Sequence, residues 1–214
     1  MPAEDGGASP APAVPGKNFR EGMPTAMTRL PDIVPEKLDP AQRKIYDDIM
    51  GGPRGVVIGP HRVWLLSPRM ADPAQKLGEF CRFHSSLAPH LSELAIITVG
   101  AYWRAGFEWF HHAPMAIKAG VSKENVEAIR TSGSPQFEDP QQQIVFRLSH
   151  ELVSTHSVSE STYNSAISLL GEVPLVDLVA ILGYYTLICM TIVAFELPAD
   201  DSSDPFADVP KRSR

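Results

Sequence analysis

Asp-Pro dipeptides at Asp39-Pro40, Asp72-Pro73 and Asp139-Pro140 constrain this chain more than any other feature. A short acidic side chain accepts from the free N–H groups of a first helical turn. A proline at the first helical position gives up an N–H that has no intrahelical acceptor there. Each dipeptide therefore reads as a helix start. The first helix closes at Gly51, and the second is expected over 73–87. A third runs from about Pro89 to Trp103, and a fourth from about Gly106 to Ala119, with Lys118 in its last turn and Gly120 as C-terminal cap. Ser122 caps 123–131, and Ser159 caps a helix ending at Gly171. Over 140–156 the apolar residues Ile144, Val145, Leu148 and Leu152 follow helical spacing, and a last helix follows Pro174. Only 55–59 and 62–66 could be strands, and each could equally be a loop over apolar ground. The reading is all-α, with about eight helices and short loops.

A chain of 214 residues suffices for one sizeable domain, placed at 29–198. Pro, Ala and Gly crowd residues 1–28 without a signal-peptide pattern, so they read as a disordered tail, and 199–214 reads as a second. A net charge of −6 leaves no basic footprint for nucleic acid. Cys81 and Cys189 are far apart and form no CxxC, which argues against a disulfide scaffold or a zinc finger and fits a reducing cytoplasm. Residues 178–195 carry no charge, yet Gly183, two tyrosines and two threonines interrupt them and basic flanks are missing. They are read as a buried helix, at a core or a subunit interface, and no membrane span is expected.

The chemistry concentrates in 107-FEWFHHAP-114. Between Ala105 and Ile117 the only formally charged side chain is Glu108, on a helix that is otherwise apolar or aromatic. Glu108 and His112 are four apart and share a helix face, so the imidazole is a natural partner for a buried carboxylate. Carboxylate and burial then pull the imidazole's proton affinity in opposite directions, which can poise an acid/base group near neutral pH. Three readings stay open: a structural ion pair, an acid/base site, or a metal site using Glu108 and His112 with His84, His61 or His111. No HExxH or second ExxH motif supports the last. Upstream, Glu93 sits in an apolar helix, fifteen residues before Glu108, or roughly 22 Å along one straight helix. The two can meet only if the chain reverses near 104–106. Pro114 is expected to kink the helix and free the Phe110 carbonyl near His112.

Taken in order, Glu93, Tyr102-Trp103, Glu108-Trp109, His112, Ala116 and 119-AGVSKENVEAI-129 resemble the carboxymuconolactone decarboxylase family, within the alkylhydroperoxidase D-like superfamily. The match covers roughly residues 42–197. The peroxidase branch keeps a CxxC dithiol where this chain reads Ala105 and Glu108, so what remains resembles the decarboxylase branch. The resemblance implies an alkylhydroperoxidase D-like helical bundle, a lyase rather than a thiol peroxidase, and a homo-oligomer, trimer or hexamer. No metal or organic cofactor is implied. The expected reaction is decarboxylation or isomerisation of a small carboxylated lactone or ring-cleavage metabolite, as in aromatic compound catabolism.

By the same resemblance His112 is the proton-transfer group, Glu108 its orienting or proton-sharing partner and Glu93 a second acid. An anionic substrate needs cations, for which Arg82 comes first, with His84 and Arg104 behind it. Tyr102, Trp103, Trp109 and Phe110 are candidate pocket walls. His61 is expected to approach from its loop, and His111 to serve as pocket wall or packing. A non-catalytic binding or structural oligomer of the same fold is the alternative from another functional class.

Overall fold

Capping chemistry sets most of the helix boundaries. Described from Arg29 to Pro210 in a computed structural model, the protein has nine α-helices and, among the described residues, no strand. They are α1 (Pro40–Gly51), α2 (Pro60–Trp64), α3 (Pro68–Glu79), α4 (Pro89–Trp103), α5 (Gly106–Ala119), α6 (Lys123–Arg130), α7 (Pro140–Thr155), α8 (Glu160–Leu170) and α9 (Glu172–Phe195). The expected tail over 1–28 lies outside the described residues. Asp39 accepts from the N–H groups of Ala41 and Gln42 while Gln42 reaches back to Asp39 N, a complete capping box. Asp139, Ser122 and Ser159 each accept one backbone N–H in the first turn of α7, α6 and α8.

The Asp72-Pro73 start does not form. Helix α3 begins five residues earlier, where Pro68 supplies the first-position proline, so Pro73 lies inside it. Asp72 instead pairs with Lys76 at 2.7 Å, one turn on. A π-turn over Phe80–His84 extends α3. Neither strand candidate forms: Gly55 and Gly59 have positive φ, which breaks extended backbone, and Pro60 then starts α2.

Helix α4 is the central element, buried continuously from Leu94 to Ala101 and packed against α5, α7 and α9. Helix α9 inverts the usual pattern. Its polar interruptions point inward: Asp177 accepts from the backbone N and hydroxyl of Ser86, both at 2.7 Å, and Thr191 Oγ1 accepts from Trp64 Nε1 at 3.0 Å. Tyr184 and Tyr185 are buried as well. Its valines face out, with Val173 and Val176 65% and 68% exposed. By length and apolarity α9 could cross a membrane, but half of that stretch is buried within the protein.

Residues 199–210, expected as unstructured from composition, fold back onto α5 and α6. Phe206 is fully buried with its ring 5.4 Å from that of Trp109. Arg104 donates to the carbonyls of Phe206, Val209 and Pro210, and Arg130 pairs with Asp208 at 2.6 Å. Two apolar residues, Phe206 and Val209, anchor an otherwise polar segment, which is why composition misread it. Phe206→Ala is expected to cost about 3 kcal/mol of unfolding free energy, read from denaturant melts. A loss below about 0.5 kcal/mol would mean the segment is undocked in solution.

Candidate active site

The reversal between α4 and α5 builds the site. Arg104 adopts a left-handed conformation with φ of 53°, and Ala105 N bonds to Gly100 O at 2.9 Å, closing α4 and turning the chain back within two residues. Helix α5 then runs back along α4, which brings Glu93 against His112 despite their separation in sequence.

His112 lies between two carboxylates. Its Nδ1 is 2.7 Å from Glu93 Oε2 and its Nε2 is 2.9 Å from Glu108 Oε1. Glu108 and His112 are each only 5% exposed. Arg82, from the π-turn, places Nη1 3.2 Å from the same His112 Nε2 and Nη2 3.4 Å from Met115 Sδ. One imidazole nitrogen thus has two partners with opposite requirements. Protonated, it donates to Glu108; deprotonated, it accepts from Arg82. Burial pushes the imidazole's proton affinity down, but Glu93 and Glu108 together hold it above its ordinary value. Burial pushes the Glu108 carboxyl up, and His112, Arg82 and His111 together hold it below the usual carboxylate range. These shifts favour an imidazolium beside the Glu108 carboxylate, with the Arg82 guanidinium alongside. Burial disfavours the Arg82 cation, and Tyr185, Glu93 and Glu108 more than restore it.

Glu108 and His112 line a cavity of about 320 Å³, at the small end of ligand pockets. Arg82, His61 and His111 also line it, His61 from α2 and not from a loop. Burial, then the Arg54 charge, pushes His61 well below its ordinary value, so it is neutral at pH 7; its Nε2 is 3.4 Å from the Tyr184 hydroxyl. His111 packs on Phe107 at 4.6 Å, and its Nε2 lies 3.4 Å from Asp200 Oδ2 without hydrogen-bond geometry.

Other expectations are corrected. Glu93 does not line the cavity; it reaches the other ring nitrogen, so it orients His112 and Glu108 is the carboxylate that faces a ligand. His84 is exposed and turned toward Glu79, because the π-turn sends it away from Arg82. Tyr102 and Trp103 pack edge to face at the end of α4, Trp109 packs on Phe206, and Arg104 holds the C-terminal segment, all away from the cavity. Phe110 does not line it either. Helix α5 continues unbroken through Pro114 to Ala119, and the imidazole's partners are side chains, not the Phe110 carbonyl.

Sequence reasoning missed Tyr184, Tyr185 and Arg54, which line the cavity. The two tyrosines were visible as polar breaks in an apolar run. Their hydroxyls are pushed up by burial and stay protonated donors. Tyr185 packs edge-on to His112 at 5.3 Å. Tyr184 depends on Gly78, where any Cβ would overlap its phenol. For the metal reading, no set of three or more His, Cys, Asp or Glu side chains among the described residues is arranged to hold an ion.

No family model and no curated protein matches the chain. Solved structures do match. One is the crystal structure of an uncharacterized peroxidase-related protein from Silicibacter sp. TM1040, with a TM-score of 0.62 at 12% identity, covering 85% of this chain and 94% of that one. At that identity the likeness is one of fold, the all-α, alkylhydroperoxidase D-like bundle.

The shifts at His112, Glu108 and His61 shape how stability follows pH. The raised His112 contributes stability that is complete below its unfolded value of 6.5 and is lost as pH rises through the folded value. The lowered Glu108 contributes stability that is complete above 4.5 and is lost as pH falls through its folded value. His61, held well below 6.5 by burial, gives up stability as pH falls through 6.5. Melting temperature should therefore be highest near pH 6.5, and His112→Asn should flatten the fall above it. In 15N NMR titrations, Glu93→Gln and Glu108→Gln should each move the His112 midpoint down; no movement in either would remove the coupling.

Proposed function

We propose that the protein is a cofactor-independent acid/base enzyme of the carboxymuconolactone decarboxylase type. It decarboxylates or isomerises a small carboxylated lactone or ring-cleavage metabolite. The observation that carries the proposal is the His112 imidazolium held between Glu93 and Glu108, with the Nε2 side opening on the cavity. A purely structural pair would not need a cavity beside it, nor a third group poised to take over the imidazole lone pair.

In the decarboxylation the C–CO2 bond breaks, and its electron pair enters an enolate conjugated to the lactone carbonyl. Arg82, Arg54 and Lys118 at the cavity offset that charge, and the Tyr185 hydroxyl remains a donor. A proton then passes from His112 Nε2 to carbon, directly or through Glu108. The neutral imidazole accepts from Arg82 Nη1, while Glu93 keeps Nδ1–H in place. Solvent returns the proton, so the net change is loss of CO2 and gain of one proton. Isomerisation uses the same proton delivery, with a carbon-bound proton passing to the Glu108 carboxylate in place of CO2 loss, so no net proton is gained.

The test is a panel of aromatic ring-cleavage lactones, incubated with purified protein in D2O without added cofactor. One deuterium at carbon per turnover is expected. Glu108→Gln and His112→Asn should each lower kcat by about 10²-fold or more, consistent with general acid catalysis. Unchanged turnover in His112→Asn sinks the proposed acid.

The proposal extends to a cytoplasmic homo-oligomer, trimer or hexamer, in which the outward valines of α9 are covered by another copy. A single helix with its polar groups satisfied inside and valines outside has an apolar face in search of a partner. Light scattering on the native protein should report a trimer or hexamer, and Val173→Glu with Val176→Glu should shift it to lower mass. A native monomer would refute this assembly.

A further inference from the structure

We propose that Arg54 is the anion anchor of the cavity, receiving the carboxylate of an organic acid, while Arg82 serves His112 instead of the ligand. The inference deepens the acid/base reading by dividing the work between two arginines.

The Arg82 donors are already engaged. Nη1 faces His112 and Nη2 faces Met115, and the guanidinium lies over the Phe83 ring at 5.5 Å. Its charge offsets Glu93 and Glu108, which have only the imidazolium otherwise. Drawing Arg82 toward a ligand would strip the site of the group that receives the imidazole lone pair.

Arg54 is the opposite case. It lies on the loop between α1 and α2, lines the same cavity, and makes no hydrogen bond or ion pair with any described residue. Its Nη2 is enclosed without a partner. A guanidinium presents five N–H donors in a rigid fork, and enclosed donors left unpaired are costly. An incoming carboxylate supplies the missing acceptor and, by matching the fork, can bind it through two bonds. The fork must swing toward the cavity to do so, which an unpartnered side chain can do without breaking a bond.

The loop is registered on the helix that carries His112. Gly59 has φ of 49°, and a Cβ there would overlap the Phe107 ring, so only glycine lets the loop sit against α5. Near Arg54 the cavity walls are apolar, with Pro53, Val56, Ile58 and Phe107. The field of Arg54 is felt by His61, Tyr184 and Tyr185 from the same walls. These features define the ligand as an organic acid with a compact, apolar body, its carboxylate at Arg54 and its reacting carbon toward Glu108 and His112.

The experiment compares benzoate with its neutral isostere benzamide by calorimetric titration of the full-length protein, alongside 15N NMR of His112. The wild type should bind benzoate at least about tenfold more tightly than benzamide. Arg54→Gln should erase that preference, leaving benzamide binding and the His112 titration unchanged, and Arg54→Lys should restore part of it. Arg82→Gln should move the His112 titration while keeping the preference for benzoate. The proposal fails if the wild type binds no benzoate or shows no preference. It fails equally if Arg54→Gln binds benzoate as the wild type does, or if only Arg82→Gln loses it. An ordinary His112 midpoint with the Arg54 effect intact would refute the acid/base reading and leave the anchor standing.

Discussion

A buried imidazole shared by two carboxylates is the constraint from which the rest of the architecture follows. Removing one charge from water is expensive, and three or four can be buried only if they sum to near zero and satisfy one another. Here Glu93 and Glu108 face one imidazolium, and Arg82 closes the balance. Glu93 and His112 can touch only if α5 runs back along α4, so the left-handed Arg104 and the bond from Ala105 N to Gly100 O are requirements of the site. Arg82 arrives by a π-turn, an arrangement that widens the helix and redirects its side chains. That turn also explains why Arg82 enters the site while His84, two residues on, faces solvent.

The same logic runs through α9. An apolar run read in sequence suggests a core helix whose few polar groups are tolerated exceptions. In the fold those groups are the inward contacts: Asp177 ties down the segment after the π-turn, Thr191 holds Trp64, and Tyr184 and Tyr185 wall the cavity. What α9 leaves outside is valine. The helix therefore has a polar-studded face against its own chain and an apolar face that the described residues leave exposed.

Local chemistry made much of this legible. Helices α4 and α5 have the boundaries that Pro89, the 104–106 break and Gly120 mark, because caps and breakers act over a few residues. Glu108 and His112 meet because four-residue spacing alone puts them on one face. Other features depend on partners distant in sequence, and no local pattern carries them. Phe206 looks like a lone aromatic in a polar tail until Trp109 stands opposite it. Pro68 and Pro73 both follow a small polar residue, so the local pattern does not choose between them as the start of α3. Arg54 sits in a glycine-rich loop with no periodicity to point at a cavity. The role of Glu93 was misplaced for a related reason: sequence supplies the pair but not which ring nitrogen each carboxylate reaches.

The residue at 108 decides what kind of chemistry such a bundle can host. A cysteine there would offer a thiolate beside a histidine, and the site would move electrons. A glutamate in the same place does no thiol redox chemistry; it can hold charge and accept or donate protons. The two cysteines present do not substitute for it: both are free and buried, with the Cys81 thiol pushed up to about 11 and Cys189 well above its ordinary value. Neither is a ready nucleophile at neutral pH. Fold likeness to a peroxidase-related protein is compatible with a reaction that never changes oxidation state, because a shared fold does not carry a shared chemistry. With a carboxylate at that position, the neighbouring cation gains a task it would lack beside a thiol. In the proposed reaction Arg82 would hold a histidine that has given its proton away, and recognition of an anionic ligand would fall to another residue.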